Sequence, residues 1–188
     1  VVVCAGPGTR ALLAHVLSTE QLPKLTPVRG QLSWGPVDAV LARQLPSTPV
    51  NGDGSFLGAI PTEHGPVWMA GSTFDRTRAH AEVDSQDHVE NLSRLQGLLP
   101  NVTPVLHQQL ADGKVQAWAS VRCTTPDRLP RVGCPNPVLT PGLHVMTGMG
   151  ARGLTLSVLC GQLLASTLTG EPCPLEPELA QRLSAARP

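Results

Sequence analysis

Gly148, Gly150 and Gly153 stand in the run Thr147-Gly148-Met149-Gly150-Ala151-Arg152-Gly153-Leu154-Thr155, between a short apolar stretch and a long one. If the first stretch is a strand and the second a helix, the glycines let the backbone turn tightly and approach a ligand closely. N–H groups at the start of the helix then favour an anion or an electron-rich oxygen. The G-x-G-x-x-G spacing is shared with dinucleotide loops, which also want a following βα unit and an acidic residue about 20 positions on. Here Glu171 follows a glycine, precedes a proline and sits on no evident strand. The turn does not read as a pyrophosphate loop. A ligand-facing turn and a plain close-packed strand–helix turn both remain open.

Two arginines could hold a carboxylate. Arg122 lies in Ser120-Val121-Arg122-Cys123-Thr124-Thr125-Pro126-Asp127-Arg128-Leu129-Pro130-Arg131-Val132-Gly133, in or at the end of a strand. Its planar fork matches a carboxylate with two parallel hydrogen bonds. A solvent-facing strand arginine is the alternative. Arg29 lies in Pro27-Val28-Arg29-Gly30-Gln31-Leu32, where an ordinary ion-paired arginine at a strand start fits equally well.

The elements that must position these residues are legible from periodicity and turn residues. Val1–Cys4 reads as a buried strand entering the turn Ala5-Gly6-Pro7-Gly8. Thr9 is expected to cap a short helix through Leu12, Leu13 and Val16. Strands are expected at Val28–Trp34, Val67–Thr73, Val115–Cys123 and Leu143–Met146. Leu45–Ile60 reads as a hairpin around Asn51-Gly52-Asp53-Gly54. A helix starting at Asp84 or Ser85 carries Val89, Leu92, Leu95 and Leu99, and Pro100 ends it. A long helix runs from about Ala151 to Leu168, and a short one with a basic end closes the chain. The long helix is shorter than the ~20 apolar residues of a membrane span and holds several hydroxyl residues, so it reads as buried in a globular core. The order gives an α+β fold with a mostly antiparallel central sheet, its two ends packing as pieces of one α/β layer.

Composition narrows the function. Fourteen basic and fourteen acidic residues leave no net charge, so tight non-specific nucleic-acid binding has no electrostatic footprint. Three Trp, two Phe and no Tyr give few base-stacking platforms. The cysteines (Cys4, Cys123, Cys134, Cys160, Cys173) form no C-x-x-C pair, which argues against zinc and for reduced thiols in a cytoplasmic protein. The six histidines are scattered and are assigned no role; no metal is expected.

Taken together and in this order, "PVRGQ", "R-x-T-x-D-x-L-P-x-x-G" and "G-x-G-x-R-G-L-T" resemble the glycine/D-amino-acid oxidase superfamily of FAD-dependent flavoproteins. Leu154-Thr155, Leu163-Leu164-Ala165, Gly170-Glu171-Pro172 and Arg187 are similar to the oxidase half of the bifunctional bacterial enzymes that make 5-methylaminomethyl-2-thiouridine in tRNA. The resemblance implies FAD near Ala5, Gly6 and Gly148–Thr155 (Gly148, Met149, Gly150, Ala151, Arg152, Gly153, Leu154, Thr155). It implies Arg122 as the carboxylate-binding and catalytic arginine, with Arg152 as a second one. Arg29, Gln31 and Arg122 are the expected substrate-binding residues.

It further implies an antiparallel-sheet substrate domain at 27–142, flanked by pieces of an FAD-binding α/β domain at 1–26 and 143–188. The chain departs from the family in showing no upstream strand–GxGxxG–helix unit. It is therefore expected to be part of a longer, cytoplasmic, non-membrane protein, with tRNA as substrate and a methyltransferase domain as a candidate partner. Taken alone it is expected to bind no FAD, to be inactive, and to self-associate through an exposed apolar face. Two other functions stay open: oxidation of free glycine, sarcosine or D-amino acids, and a non-catalytic interaction module.

Overall fold

A computed structural model describes residues 1–187. The chain divides into two compact units, one of Val1–Val28 with Val121–Pro188 and one of Arg29–Ser120. The expected boundary near 142 falls instead at 120/121. The reason is pairing: Arg131–Gly133 is a strand bonded to His144–Thr147, so the preceding stretch folds with the first unit.

The first unit begins with β1 (Val2–Val3), a single turn of 3-10 helix at Gly6–Gly8, and α1 (Thr9–Leu13). Thr9 does not cap α1: Gly8 is the N-cap, and Thr9 is buried inside the first turn. Val1 and Val2 are exposed, contrary to a buried strand, because β1 is an edge strand bonded to one neighbour.

The second unit carries most of a five-stranded sheet. Its strands are β2 (Thr26–Pro36), β3 (Val50–Gly52), β4 (Gly54–Ile60), β5 (Val67–Gly71) and β6 (Gln116–Thr124), in the order β3-β4-β5-β2-β6. The β3/β4, β4/β5 and β5/β2 pairs are antiparallel. The hairpin turn sits at Gly52–Gly54, as its glycines require.

Three helices belong to this unit: α2 (Ala39–Ala42), α3 (Ser85–Gln96) and α4 (Thr103–Ala111). Asp84 caps α3 by accepting from the Gln86 N–H. The core gathers Phe56, Trp68, Leu92, Leu95 and Leu106, with the Phe56 and Trp68 rings stacked at 6.4 Å. The α4 helix escapes sequence reading because Pro104 resembles a breaker, yet a proline in the first turn costs nothing there. Gln109 ties α4 to the sheet, accepting from the Trp68 indole at 2.7 Å and donating to the Pro36 carbonyl at 3.0 Å.

The α3 helix departs from its expected apolar stripe. Val89 is exposed, and the helix stops at Gln96, before Leu99. Its inward face is partly polar: Asn91 donates to the Gln31 carbonyl and to Ser33 Oγ, and His88 Nδ1 lies 2.8 Å from that same Oγ. Burial pushes the His88 pKa down, against a smaller opposing pull from Asp87. A histidine held neutral by the fold binds its proton more readily when unfolded. Its stabilising effect is therefore complete above the ordinary value of about 6.5 and is lost as pH falls through the depressed folded value. Denaturant titrations at pH 7.5 and 5.5 are expected to show lower stability at 5.5, with a smaller difference in His88→Asn.

The first unit is completed by β7 (Arg131–Gly133), β8 (His144–Thr147), a 3-10 turn at Gly150–Arg152, α5 (Gly153–Thr169) and α6 (Pro177–Leu183). The three strands form a mixed sheet of order β1-β8-β7, in which β1/β8 is parallel and β7/β8 antiparallel. Cys160, Leu163 and Leu164 of α5 pack with Val132 and Leu183. The helix is not buried all round: Leu154 is 94% exposed, and Val158 and Leu168 also face outward. No helix among the described residues is long and apolar enough to cross a membrane. The whole is an α+β fold with an antiparallel sheet and helices.

Candidate functional site

Parallel strands leave the turns that follow them on the same edge of a sheet, where open α/β sheets hold their ligands. In the first unit β1 and β8 are such a pair, with Val2 opposite His144 and Val3 opposite Val145. The turn after β1 carries Ala5 and Gly6, and the turn after β8 carries Gly148–Arg152. The structure therefore brings together the two segments expected to face the cofactor. Thr147 ties them: its hydroxyl donates to the Gly6 carbonyl at 3.2 Å and lies 3.4 Å from Thr9 Oγ1. Sequence reading names Thr9 as a cap and Thr147 as the start of the glycine run but misses the contact between them, because residues 138 positions apart carry no local sign of it.

The end of β6 forms the third side. Cys123 Sγ lies 3.6 Å from Thr147 Oγ1, so Cys123 faces the β8 turn. Side chains alternate along a strand, which places Arg122 and Thr124 together on the opposite face. Thr124 donates to the Thr26 carbonyl at 3.0 Å, and its methyl lies 3.7 Å from the point where a Cβ on Gly150 would stand. Arg122 thus shares its face with a residue that touches the glycine turn. Arg122 is half-buried, and burial lowers its pKa from the ordinary guanidinium range. A partly desolvated guanidinium binds a carboxylate more strongly than one in open water.

The turn itself is backbone-rich. Gly148 and Gly150 have φ of 76° and 59°, in the left-handed region. No side chain caps the Gly150–Arg152 turn or the start of α5. Ala151, Arg152, Leu154 and Thr155 are exposed around that start. A surface of N–H donors, small residues and one arginine suits a planar, electron-rich ring edge. It fits the ring end of a flavin.

Gly148 is the tightest point. A Cβ added there would stand 2.6 Å from the methyl of Thr125, whose hydroxyl is held by donating to the Leu129 carbonyl at 2.7 Å. Left-handed backbone and overpacking together make Gly148→Ala cost roughly 2–4 kcal/mol. Gly150→Ala is expected to cost roughly 1–2 kcal/mol, from the backbone alone. Gly153, with φ of −56° and its nearest neighbour at 3.5 Å, should tolerate alanine. Thermal unfolding of the three variants checks this order.

Arg29 and Gln31 do not join the site. Arg29 is 0% exposed and pairs with Asp87 at 2.5 Å. It also donates to the Glu82 carbonyl and to Gln31 Oε1. Gln31 is buried as well, donating to the Asp84 carbonyl at 2.8 Å and accepting from the Asp84 N–H at 2.8 Å. Their hydrogen-bonding atoms are engaged inside the protein, so the expectation of substrate contact is corrected to a structural role. The reading of Arg29 as an ion-paired strand residue is the one the geometry carries.

The family signature described as "FAD dependent oxidoreductase" matches residues 1–167. The chain belongs to this family. Relatives of this chain include the tRNA 5-methylaminomethyl-2-thiouridine biosynthesis bifunctional protein of a Polaromonas species. The two are 46% identical over 97% of this chain and 29% of the relative. The protein of the same name from Delftia acidovorans is 43% identical over 100% of this chain and 30% of its own length. The chain thus spans under a third of these relatives. Among solved structures it is similar to iminodiacetate oxidase from Chelativorans, with a TM-score of 0.71, 23% identity and coverage of 97% of this chain and 45% of that one. Glycine oxidase from Geobacillus kaustophilus gives a TM-score of 0.70 at 24% identity, covering 99% and 45%. These structural likenesses carry the fold.

Proposed function

We propose that this chain is the substrate-side and ring-side part of an FAD-dependent amine oxidoreductase. In the whole protein it removes the carboxymethyl group of carboxymethylaminomethyl-uridine at the tRNA wobble position. The observation that supports the reading is the approach of the Thr124 methyl to Gly150, with Arg122 two residues earlier on the same strand face. The extent of identity to proteins named for that tRNA modification supports the choice of substrate.

The substrate tip is an N-substituted glycine, a secondary amine one carbon away from a carboxylate. A flavin bound there would supply the two-electron acceptor for a hydride from that carbon, and hydrolysis of the resulting substrate imine would release the aminomethyl nucleoside and glyoxylate. This chain's residues have two tasks. Arg122 holds the carboxylate, which points the intervening C–H in a fixed direction. The N–H groups at the start of α5, with Arg152 beside them, would stabilise negative charge on a flavin ring edge held there. Neither task requires a strong base from the protein.

Purified whole protein should carry flavin absorbance that bleaches anaerobically on adding tRNA bearing the carboxymethylaminomethyl group. Bleaching by free glycine or sarcosine, with none by that tRNA, would select an oxidase of free amines instead. A colourless protein that takes up no FAD would leave a non-catalytic module.

A further inference from the structure

The turn that follows β6 is fastened by a residue far along the chain. Arg187 grips the Asp127 carboxylate at two points, Nε to Oδ2 at 2.9 Å and Nη2 to Oδ1 at 3.2 Å. The same guanidinium donates to the carbonyls of Leu129 and Pro130, each at 2.7 Å, and to that of Ser184 at 3.0 Å. A planar fork with five donors can satisfy these acceptors together, whereas a lysine ammonium cannot match the geometry. The backbone of Arg187 is held in its turn: Arg131 donates to the Arg187 and Ala185 carbonyls, and the Ala185 N–H donates to Val132 at 2.8 Å. The Arg187 pairing holds the Asp127 carboxyl well below the usual carboxylate range, so the grip stays charged at neutral pH.

What Arg187 grips is a turn with a demanding conformation. Arg128 has φ of 60°, left-handed backbone that a non-glycine residue keeps when its surroundings impose it. The inner side of the same turn faces the site. The Leu129 carbonyl accepts from Arg187 and also from Thr125 Oγ1. Thr125 is the residue whose methyl closes on Gly148. A continuous path of contacts therefore runs from Arg187 through Leu129 and Thr125 to the glycine turn, and Thr125 is three residues from Arg122.

We infer that Arg187 is a positioning residue for the amine-oxidising site: it locks the 125–130 turn and thereby sets Arg122 and the Gly148 turn in register. The inference rests on the function proposed above. Arg187 touches neither substrate nor ring; it acts through the turn.

The test uses the flavin-bound whole protein as wild type, Arg187→Lys, Arg187→Ala and Asp127→Asn. One readout is tryptic cleavage after the exposed Arg128, followed by mass spectrometry. It is expected to quicken about tenfold or more in the Arg187 variants, because cleavage follows the open population of the turn. The other readout is steady-state kinetics on the carboxylate-bearing amine. KM should rise about tenfold with kcat changed less than about threefold, as for a lost positioning of bound substrate. Thermal unfolding identifies any variant that fails to fold; if Arg187→Ala does, Arg187→Lys and Asp127→Asn carry the test. Unchanged cleavage after Arg128 overturns the lock. Quicker cleavage with unchanged KM overturns its connection to the site. A wild-type protein that oxidises no amine sinks the functional reading instead, and the cleavage readout then decides the lock alone.

Discussion

Asp87→Ala is expected to destabilise the protein by roughly 3–5 kcal/mol, the usual consequence of leaving a buried charge without its partner. Arg29 has no access to solvent, and the Asp87 carboxylate is the anion 2.5 Å from its Nη1. Its remaining bonds, to the Glu82 carbonyl and to Gln31, are neutral acceptors that cannot balance a full charge. The loss should spread, because Arg78 reaches the same carboxylate at 3.7 Å and also pairs with Asp84, the cap of α3. Urea denaturation followed by Trp fluorescence measures the change. Arg29→Met combined with Asp87→Leu should lose less than Asp87→Ala alone, since removing both charges removes the desolvation cost as well. Equal losses in both would mean that packing around Arg29, rather than its charge, holds this region.

Arg122→Ala carries the largest expected effect on activity. A charge-assisted, two-point contact with a carboxylate in a partly desolvated site contributes roughly 2–4 kcal/mol, or about 30- to 1,000-fold in binding. Arg122→Lys should recover part of that, because an ammonium keeps the charge and loses the fork. The effect should fall on KM more than on kcat if the carboxylate is held equally in ground and transition states. Steady-state kinetics of both variants in the whole protein check this. Stability should change little by comparison with Asp87→Ala.

Much of this architecture was legible in the residues. The hairpin at Gly52–Gly54, the strand–glycine–helix unit at 144–169 and the Asp84 cap each follow from local chemistry that tertiary context did not override. What stayed hidden was non-local or polar. The buried face of α3 sets Asp87, His88 and Asn91 beside Leu92 and Leu95, because β2 presents the Gln31 carbonyl and Ser33 to it; an apolar periodicity search passes over the polar part of such a face. The family resemblance cast Arg29 and Gln31 as substrate contacts, although the local pattern fits an ion-paired strand arginine. Asp87 and Glu82, more than 50 positions away, decide for the interior. Likewise nothing near Arg187 in the sequence announces Asp127 as its partner. The pairing exists because the chain from Leu183 to Arg187 runs beside β7.

The central claim is that Arg122 holds the carboxylate of a substrate bound beside the flavin ring that the Gly148 turn receives. Titrating an N-substituted glycine into the flavin-bound whole protein, and following the perturbed flavin absorbance, reads this directly. The expected result is a dissociation constant raised about 30-fold or more in Arg122→Ala, with no change for the matching amine that lacks a carboxylate. The same dissociation constant in both proteins for the carboxylate-bearing ligand would contradict the account.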